Sequence, residues 1–570
     1  MLKGIAVSSG IVVGKVYKLV QPEIVLKEEK GETSAELAAF KAAVAKTRTD
    51  IEKIKERAAG KLKPEELEIF DAHLTMLDDP EYQGQIEAKI NDGSNADLAT
   101  KEVTDMMVNM FSMMDDAYFK ERAADIKDVG QRLLCNVLGL KVPDLTAIDE
   151  EVIIVASDLT PSDTAQMDKK FIIGFCTEEG GRTSHSAIMA RSLEIPAVVG
   201  CKGILDATTD DMIIAMDATS GDVVTEPSDD VKEDYIKRGN ELKAEKEALK
   251  VLIDQPSISL DGHKVEIAAN IGTPKDVDGV INNGGEAVGL YRTEFLYMDS
   301  KEDFPDEETQ YEAYKAVLER MEGKRVVFRT LDIGGDKKLD YFQFPEELNP
   351  FLGYRAIRLC LDRQDIFRTQ LRAILRASAY GRAAIMFPMI ATVDEFKRAK
   401  AIYEEEREKL VKEGFNVADD IEVGMMVEIP ASAIMAEKFA KYADFFSIGT
   451  NDLTQYTMAA DRGSKEVSYL YQPLNPAVLT LIKKAIDAAH KYGKWCGVCG
   501  ELASDIIAAP ILLGLGLDEF SMTAPSILPA RKMIRSLNYE EMKDLAAKVL
   551  ELESQDEIRA YVEDYLDSKN

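Results

Sequence analysis

The sequence predicts an α/β chain of several domains: an α/β domain interrupted by an all-helical insertion, followed by a (β/α)8 barrel of the TIM type. Three observations carry this. At 570 residues the chain is too long for one hydrophobic core. A glycine-poor helical stretch from about residue 33 to 143 is bracketed by strand-like runs. After Pro256, eight strand patterns alternate with helical ones to the end, which favours a closed barrel over a doubly wound sheet.

Residues 3–20 read as strands with glycine turns. Helical periodicity then predicts helices over 34–58, 63–77, 81–91 and 116–138. Strand character returns at 152–156, 171–174, 197–200 and 212–216. The α/β domain is therefore assigned to residues 1–20 plus 145–227, with the helical subdomain at 21–144 inserted into it. A charged run at 229–254 predicts a helical linker within 228–257, roughly 39 Å long at about 1.5 Å per residue. Its composition suits an interdomain strut and a surface helix equally. The barrel is assigned to 258–570, with strands at 265–270, 289–291, 325–329, 384–389, 422–427, 445–448, 495–498 and 519–521.

Composition narrows the function. An apolar fraction of 46% with 30% charged residues describes a soluble globular chain. No run of about 18 apolar residues occurs, so no membrane span is expected. The first ten residues lack the apolar core of a signal peptide, and a cytoplasmic location is expected. A net charge of −32 argues against nucleic acid as a partner, because backbone binding needs clustered Lys and Arg. The six cysteines are scattered apart from Cys496 and Cys499, which suits free thiols in a reducing compartment.

His185 is one of only four histidines, and it stands where a helix is expected to begin. Gly180 and Gly181 precede it, Thr183 and Ser184 are N-cap residue types, and Ile188, Met189 and Leu193 follow at core-facing spacing. The N–H groups and positive dipole end of such a helix favour an anion, so a histidine there is well placed to carry a phosphoryl group. His73, His263 and His490 have no such surroundings and are expected to be structural.

Reactive residues of a barrel belong at the C-terminal ends of its strands. Arg292, Arg329, Glu428, Asn451, Asp452 and Cys499 all fall at predicted strand ends, with Arg462 shortly beyond. Guanidinium forks match phosphate and carboxylate oxygens, and two carboxylates with substrate oxygens and water suit Mg²⁺. Together they describe a site for a small phosphorylated carboxylic acid. The pair Cys496 and Cys499 has the spacing of a zinc half-site or a redox dithiol, but no second pair completes a zinc tetrahedron. Cys499 is read first as an acid and Cys496 as a packing residue.

The string Gly-Gly-Arg-Thr-Ser-His-Ser-Ala-Ile-Met-Ala-Arg at 180–191 resembles the phosphohistidine signature of the phosphoenolpyruvate-utilising enzymes, whose histidine sits on a swivelling domain. Over nearly the whole chain, the order of parts and the strand-end motifs resemble the Enzyme I family of the bacterial sugar phosphotransferase system. The resemblance implies a phosphoenolpyruvate–protein phosphotransferase with His185 as phosphoryl acceptor. It implies that Arg292, Arg329 and Arg462 clamp phosphoenolpyruvate with help from Asn451. Glu428 and Asp452 would ligate Mg²⁺ beside the substrate, and Cys499 would protonate the enolate carbon. It further implies that the helical subdomain docks the carrier protein HPr and that the barrel forms a homodimer. The segment 118–128 also resembles the family, and Asp128 is a candidate to orient His185, though its charge pattern equally fits a solvated face.

Other readings account for less. Pyruvate phosphate dikinase and phosphoenolpyruvate synthase place a large nucleotide-grasp domain ahead of the histidine, which 184 residues without a glycine-rich nucleotide loop do not supply. The nitrogen-related paralogue carries an N-terminal sensory domain, whereas strands begin here at Lys3. A barrel lyase of the citrate-lyase type would use Arg292, Glu428 and Asp452 but leave the His185 motif unexplained. A non-catalytic scaffold would need none of the set.

Overall fold

The unalternating apolar run Val-Ile-Ile-Val-Ala forms strand β4 (Val152–Ala156), and it is buried along its whole length. Ile154 packs on one side of its sheet, Ile153 and Val155 on the other. A strand covered on both faces requires such a sequence. The computed structural model describes residues 1–569 apart from 20, 21, 23, 28, 29, 59–63, 113–116, 141–144, 146, 147, 161, 162, 164–166, 182, 183, 185, 188, 191–194, 301, 302, 336, 338, 340, 463 and 465. It divides into two units, Met1–Lys246 and Glu247–Asn570.

The first unit holds an eight-stranded sheet in the order β1-β8-β7-β3-β4-β5-β6-β2. Its other strands are β1 (Leu2–Lys3), β2 (Ile5–Ser8), β3 (Ile11–Leu19), β5 (Ile172–Thr177), β6 (Ala197–Val199), β7 (Ile213–Asp217) and β8 (Asp222–Val224). Strands β3 to β6 run parallel, and β3 pairs β4 from Lys15↔Val152 to Leu19↔Ala156. The helical segment therefore leaves β3 and returns to the strand beside it, as an insertion must.

Five helices make up that insertion: α1 (Thr33–Ala58), α2 (Pro64–Leu77), α3 (Pro80–Asn91), α4 (Ala96–Ser112) and α5 (Ala117–Leu138). They share a core that includes Phe40, Phe70, Leu77, Tyr82, Ile86, Val103 and Leu133. The periodicity reading omits α4, whose buried face is made of Ala96, Asp97, Ala99, Thr100, Val103 and Thr104. Small residues carry little hydropathy, so the stripe is faint in sequence. A Cβ on Gly130 would meet Thr104 at 2.2 Å, so the absence of one lets α4 and α5 approach closely. The charged helix expected over 229–254 ends sooner, at Leu249, and a 3-10 turn follows over Lys250–Leu252.

The second unit is a closed barrel of eight parallel strands: β9 (Glu266–Ile271), β10 (Ala287–Arg292), β11 (Val326–Arg329), β12 (Ala383–Phe387), β13 (Glu422–Val427), β14 (Phe445–Ile448), β15 (Trp495–Val498) and β16 (Glu519–Met522). Each strand pairs its sequence neighbour, and β16 pairs β9 to close the ring. Its interior is lined by Leu290, Val327, Ala384, Met386, Met426 and Phe445. At the N-terminal end Arg325 donates to Glu519 and Glu266, at 2.6 Å each, and its guanidinium covers the Trp495 ring at 3.9 Å. Arg531, fully buried, fixes the stretch ahead of β9. It donates to the Leu252 and Ile253 carbonyls at 2.9 Å, to the Gly284 carbonyl at 2.5 Å and to Ser257 Oγ at 3.1 Å.

Candidate active site

Arg292 is the last residue of β10, Arg329 the last of β11, and Glu428 follows β13 directly. Asn451 and Asp452 lie in the first turn of the Thr450–Met458 helix after β14, and Cys499 follows β15. Because all eight strands are parallel, these residues rise at one end of the barrel.

Arg329 is buried, and the acids around it decide its state. It bonds Glu294 through Nη2 and stands 3.1 Å from Asp332 through Nη1. Lys337 Nζ donates to Glu294 at 2.8 Å and approaches Asp332 at 3.3 Å. Arg355 Nη2 donates to Asp332 Oδ1 at 2.8 Å and reaches Asp452 Oδ2 at 3.4 Å. Burial alone would lower the Arg329 guanidinium, but Glu294 and Asp332 hold it above its ordinary value. Burial would likewise raise Asp332, yet Lys337, Arg355 and Arg329 keep it well below the usual carboxylate range. Arg292 differs: half-buried, it makes no ion pair with a described residue, and burial and the nearby Arg329 push it below its ordinary value.

Glu428 and Asp452 are less well satisfied. Glu428 is buried, and Oε1 accepts from the Met389 N–H at 2.5 Å. Burial, then repulsion from Asp452 and Asp332, pushes its carboxyl up to about 8. Asp452 Oδ1 is buried and accepts no hydrogen bond from a described residue, with Arg462 Nη1 standing off at 3.6 Å. A Cβ at Gly449 would come 2.9 Å from Glu428 Oε2, so this position needs glycine to keep that oxygen open. Two neighbouring acids that repel one another, one with a buried oxygen that accepts no hydrogen bond from a described residue, are chemically suited to share a cation. Among the described residues no three His, Cys, Asp or Glu side chains converge to hold a metal alone. The donor set fits Mg²⁺, which takes one or two carboxylates and completes its shell with substrate oxygen and water.

Cys499 packs with the barrel interior, whereas Cys496 belongs to the core between strands and helices. Residues three apart on a strand point to opposite faces, which rules out a dithiol between them. Burial pushes the Cys499 thiol up to about 11, so it holds its proton at neutral pH. Its Sγ lies 3.7 Å from the Ile448 carbonyl, and Asn270 Nδ2 donates to its carbonyl at 2.9 Å.

Arg329, Glu428, Asp452 and Arg462 thus meet through Asp332 and Arg355, and Cys499 feels the charge of both Arg329 and Glu428. Asn451 stands beside Asp452, its carbonyl 3.5 Å from Tyr471 OH. Sequence reasoning omits Glu294, Asp332, Lys337 and Arg355. Glu294 and Asp332 each follow an assigned arginine by two or three residues, the one signal that pointed to them.

His185 lies outside the described residues. Around it, Gly180 takes φ +102°, a left-handed conformation that favours glycine. Ser184 Oγ accepts from the Ala187 N–H at 3.3 Å, the N-cap bond expected of that residue. Asp128 Oδ2 is buried without a described partner.

Comparison with known proteins completes the picture. Three family models match: PEP-utilising enzyme, N-terminal, over residues 3–122; PEP-utilising enzyme, mobile domain, over 148–221; and PEP-utilising enzyme, PEP-binding domain, over 246–539. The chain is 57% identical over 565 residues to a phosphoenolpyruvate-protein phosphotransferase of Bacillus subtilis (strain 168), covering 99% of each. It is 55% identical over 566 residues to one of Staphylococcus carnosus (strain TM300), again covering 99% of each. Among solved structures, an NMR solution structure of Enzyme I (nEIt) protein is 41% identical, with TM-score 0.40, over 43% of this chain and 100% of that one.

Proposed function

Because the chain belongs to the phosphoenolpyruvate–protein phosphotransferases, we propose that it moves the phosphoryl group of phosphoenolpyruvate onto His185 and releases pyruvate. It then passes the group to the carrier protein HPr, as the first step of sugar uptake. The observation that carries this reading is the meeting of guanidinium groups, two underpaired carboxylates and a buried thiol at one barrel mouth.

In the reaction the P–O bond to the enol oxygen breaks and a P–N bond to the His185 imidazole forms. Transfer of this kind depends chiefly on positioning and charge stabilisation. Arg292, Arg329 and Arg462 bind the phosphate and carboxylate of the substrate, and Asn451 adds a polar contact. Arg292 makes no ion pair with a described residue that an incoming anion would have to break, while Arg329 comes already oriented by Glu294 and Asp332. Mg²⁺, held by Glu428 and Asp452, would neutralise charge on the transferring group. Cys499 donates its Sγ proton to the methylene carbon of the enolate, which yields pyruvate. Burial raises the thiol, which keeps the proton in place until the more basic enolate carbon forms to take it.

The division of labour follows the same reading. Residues 1–20 and 145–227 carry His185, residues 21–144 dock HPr, 228–257 link, and 258–570 bind phosphoenolpyruvate and pair two copies into a homodimer. No helix among the described residues is long and apolar enough to cross a membrane. A barrel lyase would leave residues 3–122 and 148–221, matched by the two other family models, without a role. The deciding experiment is incubation with ³²P-labelled phosphoenolpyruvate. Acid-labile phosphohistidine that chases onto added HPr is the expected result, and pyruvate release without protein labelling would overturn it.

A further inference from the structure

Met389 lies two residues beyond β12, and its backbone takes φ +54° although it carries a full side chain. Left-handed backbone in a residue other than glycine persists only where its surroundings over-determine it, and it gathers at functional sites. Here the turn delivers one product: the Met389 N–H donates to Glu428 Oε1 at 2.5 Å, from a strand end 39 residues away in sequence. The other oxygen, Oε2, lies against Gly449, at the end of the strand that leads to Asp452. The side chain is nearly sealed from solvent and meets Tyr456 OH at 3.9 Å through Sδ.

We propose that Met389 is a positioning residue: its left-handed amide fixes one oxygen of Glu428 so that the other is presented to a divalent cation. This rests on the reading of Glu428 as a metal ligand. Ligating carboxylates are commonly held by an outer hydrogen bond, which sets their orientation and the affinity of the site. A backbone N–H is suited to the task because it engages Oε1 without adding charge or a competing ligand, and so leaves Oε2 to the cation.

The test follows Mn²⁺ binding to the full-length chain by electron paramagnetic resonance, with oxalate as the accompanying anion. Glycine takes positive φ freely and keeps the N–H, whereas a β-branched residue resists that conformation. Met389→Gly is expected to bind Mn²⁺ within about threefold of the parent, and Met389→Val about 10- to 100-fold more weakly. Equal behaviour of the two variants would overturn the proposal, since it would trace the effect to the side chain or to nothing. Should Met389→Val fail to fold, ¹⁵N-methionine labelling of the parent decides. The Met389 amide resonance is expected to move on addition of Mg²⁺ and again in Glu428→Gln, and an amide indifferent to both overturns the role. If Glu428→Gln binds Mn²⁺ as tightly as the parent, the ligand reading itself falls and this role falls with it.

Discussion

Arg355 and Asp452, 97 residues apart, meet at 3.4 Å at the mouth of the barrel. The same Nη2 stands 2.8 Å from Asp332, so one guanidinium ties the segment after β11 to the helix after β14.

Removing that tie leaves a buried acid short of a partner. Arg355→Met is expected to destabilise the chain by about 3–5 kcal/mol, the usual result of breaking a buried ion pair from one side. Urea unfolding measures it. Pairing the change with Asp332→Asn should recover part of the loss; if the two costs simply add, the residues are not coupled.

His185→Ala should abolish phosphohistidine while leaving phosphoenolpyruvate binding intact, because the proposed clamp lies on the barrel. Normal labelling of this variant would remove His185 from the mechanism. A fragment of residues 1 to about 230, which retains the sheet and its helical insertion, should exchange phosphate with phosphorylated HPr yet ignore phosphoenolpyruvate. Labelling of the fragment by phosphoenolpyruvate would refute the proposed division between domains.

The two neighbouring cysteines should separate cleanly. Cys499→Ala should lower pyruvate formation by a factor of about 10²–10⁴ while Cys496→Ala, on the other face of β15, stays near the parent rate. With the Cys499 thiol at about 11, its proton remains in place up to about pH 10, so loss of rate between pH 8 and 9 must come from another group. Equal effects of both substitutions would assign the proton elsewhere.

His490 Nε2 lies 2.8 Å from Asp518, and that hydrogen bond raises the imidazole above its ordinary value, with Asp487 adding to it and Lys483 opposing. A raised histidine stabilises the fold fully below its unfolded value of about 6.5. That contribution is lost as pH climbs through the raised folded value. His490→Gln should therefore lower Tm more at pH 6 than at pH 9. A difference that is the same at both pH values would leave the ion pair without weight.

The barrel is legible in the sequence because buried parallel strands are short apolar runs, and a strand end is visible wherever such a run stops at a charged residue. Arg329, Glu428 and Cys499 sit at such stops. Arg355 does not. It follows a 3-10 turn over Pro350–Leu352 and precedes Ala356 at φ +52°, a stretch with no periodicity. Its place comes from tertiary contact alone. Helix α4 is hidden for a different reason, since alanine and threonine can bury a face without a hydrophobic signal. The His185 motif is legible only as a whole string, by resemblance, because a single histidine near a helix start has many uses.

Arg531 has a consequence for anyone cutting this chain. Its buried guanidinium needs the carbonyls of Leu252 and Ile253 and the hydroxyl of Ser257. A barrel truncated at residue 258, the boundary assigned from the sequence, would strip away three of those acceptors and leave the guanidinium with the Gly284 carbonyl and, at 3.9 Å, Glu286. Residues 252–257, ahead of the first barrel strand, are therefore a stopper rather than a tether. An autonomous barrel should start no later than about residue 247, and shorter pieces should precipitate or melt early for want of it.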